Sequence, residues 1–486
     1  MNASHALPAG EAQSLAAFRR LLEAASDEKT AADRPVQMTD RLLGAEAGRL
    51  LRRCAVPHEF DPPLLAWLGE LDADAAEERY VQFTELAIVQ INDDSLSVHE
   101  RWRKPLWRWW LADAQREQFS AVSERLVEWF TVPADPSGED PAARRRMFHL
   151  IGCRRADGLA AFEQLFRTAR HRRRLSECCL LLSLVHEYDP LLSAAELAML
   201  RYHEGKLAGD QHNWEQALPL LQQVAADPAV EHVLQCKAEI RIAHVLRVLG
   251  RPDEAAKVLE ATLRRAEQAP QAGSLRRRAL RELGENQRDQ GCAVESVATL
   301  TAALKDAELD DSADLAGLLD SLGTAQLKLG DVDHAIGSFE AALARLRRDG
   351  DALRAAIVLN NLGLARLEHL DFAAAEEAFV ASLAAKREAD DKRGQATALL
   401  NLVRVQSALK RDDDARRSAE QAAALFQALG DSAGEARAQD YLQRFVLRDR
   451  PAMTGHDDKG LPWWAWTLLG LMAILLLLAA VETALE

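Results

Sequence analysis

Aromatic residues are scarce in this sequence: Phe, Trp and Tyr make up 6% of 486 residues, and only four are tyrosine. With 28% charged residues and abundant Ala, Leu, Arg and Glu, that scarcity argues for helix over sheet. The six cysteines (Cys54, Cys153, Cys178, Cys179, Cys236, Cys292) form no CxxC pair and have no His at ligand spacing. A zinc site and a disulfide framework are therefore not expected, and the thiols read as reduced. No GxxxxGK[ST] phosphate loop occurs, since Gly205-Lys206 lacks both the upstream glycine and the Ser/Thr. HExxH, GxSxG and a GxGxxG after a strand are also missing. The expectation is a non-enzyme with no cofactor or metal. Basic residues are in deficit as well. A formal charge of −15 argues against a general affinity for nucleic acid, whose phosphates reward clustered Lys and Arg. The first residues lack the basic start and apolar run of a secretory signal.

The C-terminal sequence is rich where the rest is sparing. Trp463 to Val481 is 19 uncharged residues, long enough as helix to cross ~28 Å of hydrocarbon. Trp463, Trp464 and Trp466 crowd one end, as an interfacial belt requires. Arg448, Arg450 and Lys459 precede the segment and no Lys or Arg follows it. The charge bias places the large N-terminal part in the cytoplasm, tail-anchored at the cell's inner membrane.

Internal repetition dominates residues 198–430. Motifs such as LGTAQLKLGDVDHAIGSFEAAL begin at Glu204, Ile242, Leu283, Leu322, Leu362 and Leu402, spaced by 38, 41, 39, 40 and 40 residues. One small-residue column runs Gly205, Ala243, Gly284, Gly323, Gly363, Val403. A second runs Ala217, Ala255, Ser296, Ala335, Ala375, Ala415. On these columns the sequence resembles the tetratricopeptide repeat (TPR), a helix pair that hides its apolar face only by stacking on the next. The resemblance covers about half the chain and implies a right-handed superhelix of about six pairs whose inner face binds partner segments. Val403 departs from the glycine pattern.

With the glycine column setting the phase, the inward positions of the second and third copies include Lys237, Arg247, Arg278, Arg281 and Arg288, opposed by Glu285 and Asp289. This stripe reads either as a basic groove for an acidic peptide or as a solvated charged face. Asn361 and Asn401 share one inward position, with Asn360 adjacent. In kinesin-light-chain-like repeats such amides clamp a peptide backbone; hydrogen bonding between repeats is the equal alternative.

Residues 37–135 do not repeat. Gly44–Arg53 has helical period, Asp61-Pro62 opens a second helix and Asp74 a third. Val89, Ile91, Leu96 and Val98 then alternate around a two-Asp turn, the pattern of a hairpin. A helix follows in which Arg101, Arg103, Lys104 and Arg108 interleave with Trp102, Trp107, Trp109 and Trp110. Its tryptophans are either core residues under an arginine-coated face or a stacking or membrane-interface surface. The run LAIVQINDDSLSVHERWRKPLWRWW resembles the winged-helix end of STAND-class signalling NTPases, in which a helical linker and superhelical repeats follow. That resemblance implies a protein-docking unit, and nucleotide only through a separate partner. Seven acids (Asp61, Glu70, Asp72, Asp74, Glu77, Glu78, Glu85) against Arg79 oppose DNA docking.

Ten arginines stand against two acids in residues 142–174. They can meet anionic lipid or pair with the acidic N-terminal helices. The expected organisation is an N-terminal segment (1–36), a winged-helix-like unit (37–135), an Arg-rich connector (136–197), repeats (198–431), a capping helix (432–447), a linker (448–462) and the membrane span (463–481). The function read from it is a membrane-tethered scaffold binding a protein or peptide. A regulatory subunit of a STAND-like system is the first alternative, and a DNA-linked transcriptional regulator the second.

Overall fold

In the computed structural model of the protein, residues 34–131, 142–267, 272–308 and 315–449 are described. The expected span with Trp463, Trp464 and Trp466, and the linker before it from residue 450, lie outside them. Among the described residues no helix is long and apolar enough to cross a membrane. The chain divides into two compact units, residues 1–290 and 291–486. Both are helical, with 22 helices and one two-stranded sheet among the described residues.

The first unit opens with α1 (Arg34–Leu43) and α2 (Ala45–Cys54), followed by α3 (Pro62–Gly69) and α4 (Ala73–Thr84). Asp61 and Asp72 cap α3 and α4 by accepting hydrogen bonds from the amides of Leu64 and Ala75, at 2.8 Å each. β1 (Val89–Ile91) pairs antiparallel with β2 (Leu96–Val98), and Phe60 bridges Leu96 from the other side. The three expected helices and the hairpin are present, preceded by α1, and the third opens at Asp72 rather than Asp74. Helices α5 (Glu100–Leu111), α6 (Arg116–Trp129), α7 (Ala143–Cys153), α8 (Arg155–His171) and α9 (Leu175–His186) follow.

One continuous apolar core runs from Ala47 to Leu207, so the N-terminal helices and the Arg-rich connector share a single interior. Of the alternatives for α5, the structure has the core one. Trp107 and Trp110 are buried, and their indole N–H groups donate to the carbonyls of Glu187 and Arg52 at 2.8 and 2.9 Å. Trp107 stacks on Phe148, while Arg103 lies over its ring and reaches Glu187 at 2.8 Å. Arg101 and Arg108 face outward.

Five of the ten connector arginines are seen to reach carboxylates, Arg174 pairing with Glu177 three residues on. Arg145 lies 3.6 Å from Glu59, Arg154 3.4 Å from Glu124 and Arg155 3.2 Å from Glu196. Arg170 is bonded twice to Asp210. Part of this pairing reaches the N-terminal third and part reaches the first repeat.

Repeat hairpins complete the first unit: α10 (Ala194–Asp210) with α11 (Trp214–Ala226), α12 (His232–Val248) with α13 (Pro252–Ala266), then α14 (Ala272–Asp289). The second unit holds α15 (Ala293–Glu308), α16 (Leu315–Leu329) with α17 (Val332–Arg348), α18 (Ala352–Glu368) with α19 (Phe372–Glu388), α20 (Lys392–Ala408) with α21 (Asp412–Ala428), and α22 (Ser432–Asp449). Within each unit the first helix of a pair touches the first helix of the next, as α12 touches α14 and α16 touches α18. These first helices form the inner layer. The tight turn inside each hairpin needs one left-handed residue, which recurs in phase at His212, Gly250, Gly291, Gly330, Leu370 and Lys410.

Both small-residue columns are buried throughout. A Cβ placed on Gly205 would stand 2.8 Å from Leu221, on Gly323 2.8 Å from Phe339, and on Gly363 2.6 Å from Phe379. Each of those partners lies one turn beyond the small residue of the second helix. In the last pair Val403 fills the glycine position, and the residue one turn beyond Ala415 is Ala419. Val403, Ala415, Ala419 and Phe445 form one cluster. The departure from glycine is therefore a volume exchange: a larger residue on the first helix, a smaller one on the second, and a ring supplied by α22.

Candidate functional site

The inward basic residues expected from the sequence separate into two groups with opposite electrostatics. Arg247, Arg281 and Arg288 are consumed within the protein. Arg247 reaches Asp289 at 2.5 Å, Glu285 at 2.9 Å and Glu282 at 3.6 Å, and its side chain is 11% exposed. Arg288 bonds Asp289 at 2.8 Å, and Arg281 lies 3.8 Å from Glu285. His244 joins the network 3.3 Å from Glu282. Burial pushes the Glu282 carboxyl up, but His244, Arg281 and Arg247 prevail and hold it at about 2. Ligand atoms of His244, Glu282 and Glu285 lie within 4.8 Å of one another, the spacing of a metal trio. Arg247 contacts all three groups, so its guanidinium is the cation of this cluster.

Lys237 and Arg278 belong to the other group, with residues the sequence reading did not single out. Helix α10 contributes His203, Lys206 and Asp210; α12 contributes Lys237 and Arg241; α14 contributes Arg278; and α8 contributes Arg170. Asp210 is bonded to Arg170, and Arg241 approaches the same carboxylate at 4.0 Å. No ion pair or hydrogen bond engages the side chains of Lys206, Lys237 or Arg278 among the described residues. Lys206 rests its ammonium 5.2 Å over the Tyr202 ring.

Five cations on four helices thus gather around one directly engaged carboxylate. Burial, then the charges of Arg170, Arg241 and Arg278, push the Lys206 ammonium down to about 7 against the pull of Asp210. Burial first, then Lys206, Arg170, Arg167 and Lys237, push His203 down to about 3, so its imidazole is neutral. Its Nδ1 is buried without a hydrogen-bond partner. Burial and Arg170 lower Arg241 also. Repulsion among partly buried cations is relieved when an anion enters, which makes this cluster a candidate anion site. Lys206 and Arg241 do sit at inward positions, beside and two before the small-residue column. Their clustering depends on how successive helices register, which the sequence alone does not state.

The asparagines bond to repeats. Asn401 Nδ2 donates to Asn360 Oδ1 at 2.9 Å, and Asn361 Nδ2 donates to Asp320 Oδ1 at 2.8 Å. Both bonds link first helices of successive pairs. Asn401 also lines a cleft of about 590 Å³ with Leu400, Arg404, Ala436, Arg437, Asp440 and Tyr441, between α20 and α22.

No protein-family model matches this chain, and no curated protein matches it in sequence. Solved structures do resemble it. A signal transduction ATPase with numerous domains (STAND) carrying a tetratricopeptide repeat sensor, from Pyrococcus horikoshii, aligns at TM-score 0.50 and 14% identity. The match covers 85% of this chain and 64% of that one, so this chain spans less than two thirds of its length. A Rap protein solved with competence and sporulation factor aligns at TM-score 0.45 and 14% identity, over 71% of this chain and 97% of that one. The tetratricopeptide-like repeats of a putative kinesin light chain from Podosopora anserina align at 0.36 and 17%, over 42% and 99%. At 14% identity the likeness to the first of these is one of fold, and that fold is TPR-like.

Proposed function

We propose that this protein is a non-catalytic scaffold that recognises an acidic segment of a partner protein in the inner layer of its first unit. The cluster of Arg170, Lys206, Lys237, Arg241 and Arg278 around Asp210 carries this reading. An extended acidic segment neutralises charges that the protein leaves in excess, and the repeat backbone holds the donors in place beforehand. Asn360, Asn361 and Asn401 belong to the second unit, where their amides set the register of successive helices. Asn401 additionally offers an edge to its cleft.

The hydrophobic segment from Trp463 to Val481 is proposed to tether the scaffold to the inner membrane, with the repeats on the cytoplasmic side. The test compares proteins captured by the full chain with those captured by a Lys206→Glu/Lys237→Glu variant of equal helicity. Partners lost on charge reversal support the reading; identical captured sets refute it.

A second reading, a regulatory subunit of a STAND-like system, draws on the order of three helices, hairpin, helical connector and helix pairs. In it the N-terminal unit is winged-helix-like and docks a separate nucleotide-binding protein. Co-purification of such a protein, lost on deletion of residues 37–131, is its test. The DNA-linked alternative has less support: the tryptophans available for base stacking on α5 are half-buried or buried.

A further inference from the structure

We infer that the basic recess formed by α8, α10, α12 and α14 takes a phosphate monoester carried on a partner polypeptide, rather than a run of carboxylates. This rests on the proposed reading of the recess as the partner site and names the group that enters it.

Three features favour a compact dianion. The cations converge rather than string out: Asp210, one turn beyond Lys206 on α10, bonds Arg170 of α8 and lies 4.0 Å from Arg241 of α12, and α12 packs against α14, which carries Arg278. Successive carboxylates in an extended peptide stand ~3.3–3.6 Å apart per residue and alternate in direction. A second acid therefore does not reach the place where the first has entered. A phosphate monoester concentrates ~1.5–2 negative charges and three acceptor oxygens on one atom.

The donors also suit phosphate. Arg241 and Arg278 offer planar forks that grip two oxygens together, while Lys206 and Lys237 add point charges. Asp210 already holds Arg170 by two bonds and so fixes one wall of the recess. Finally, His203 stays neutral beside these cations, is 8% exposed, and keeps its Nδ1 unpaired in the interior. A neutral imidazole one turn before Lys206, packed against Phe162 and Phe166, adds no charge to the repulsion. A lone carboxylate neutralises one charge of the excess, whereas a phosphate monoester neutralises ~1.5–2.

The experiment measures binding of the full chain in detergent to four fluorescein-labelled degenerate peptide libraries with a fixed central Ser, phosphoserine, Glu or Glu-Glu. Anisotropy at constant ionic strength is the readout, with inorganic phosphate as competitor. The phosphoserine library is expected to bind at least tenfold tighter than Glu-Glu. Lys206→Met and Arg278→Gln, each with wild-type helicity, should each remove at least tenfold of that preference. Lys237→Gln, on a half-buried side chain, provides a second route should either fail to fold. Equal binding of phosphoserine and Glu-Glu overturns the phosphate inference and leaves the acidic-segment reading standing. Failure of every acidic library to exceed Ser overturns the reading itself. Inorganic phosphate binding as tightly as the phosphoserine library overturns the peptide part of the inference.

Discussion

Gly363 and Phe379 offer a quantitative test of the seam between first and second helices. A Cβ on Gly363 meets three atoms of the Phe379 ring at 2.6, 2.8 and 2.9 Å, about 1 Å inside the ~3.5–4.0 Å carbon–carbon optimum. Phe379 is fully buried among Ala375, Leu383, Ala396 and Leu399, so its ring has no open direction in which to retreat. Gly363→Val should therefore cost ~1–3 kcal/mol by overpacking, less a few tenths regained from helix propensity. Phe379→Ala alone should cost ~3–5 kcal/mol by cavity formation. Combined, the two changes reproduce the Val403/Ala419 pair of the next seam, without the Phe445 ring that fills in there. Three carbons enter while six leave, a net deficit worth ~2.4 kcal/mol at ~0.8 per buried carbon. The double variant should then be more stable than Phe379→Ala alone, with a favourable coupling of ~2 kcal/mol or more. Stacked repeats need not unfold in one step, so the assay is amide hydrogen exchange in α18 and α19, which reports local opening free energies. Additive losses, with the double variant weaker than either single one, would refute the seam pairing.

Lys206→Met should raise thermal stability at pH 7 and below. The folded-state pKa is about 7, against ~10.5 unfolded, so the penalty of holding the ammonium is full below 7 and fades by about 10.5. A melting-temperature gain that does not shrink between pH 7 and 10 would contradict this. His186 behaves in the opposite sense. Its hydrogen bond to Glu204, at 2.8 Å, leads Asp189 in raising it to about 9 against the cost of burial. The stability it adds is full below ~6.5 and disappears as pH rises through 9, so His186→Gln should lower the melting temperature at pH 6 and hardly at pH 10. Asn401→Ala orphans the Asn360 amide oxygen and should cost ~1–3 kcal/mol by chemical denaturation, whereas adding Asn360→Ala should cost little more. Leu370 sits at φ 65° with its side chain 72% exposed, so Leu370→Gly should stabilise α18–α19 by up to ~1 kcal/mol in the same exchange assay.

The repeat architecture was legible in the chain because packing in such arrays is local. Each glycine or alanine of the first helix meets a residue of the helix that follows it, as Gly363 meets Phe379 sixteen positions on, so sequence spacing carries the contact. The hairpin after α4 was legible for the same reason, being a neighbour pairing across two residues of turn. Tertiary structure alone decided which charges were free. Arg247 and Lys237 are both inward basic residues on one helix, yet Arg247 is spent on Glu282, Glu285 and Asp289 while Lys237 is left unpaired. Arg170, near the end of α8 within the connector, enters the site only because α8 packs against the first repeat and brings it to Asp210, 40 residues later. Electrostatic balance sums over every helix that faces a point. A linear sequence records the charges but not which of them share a recess.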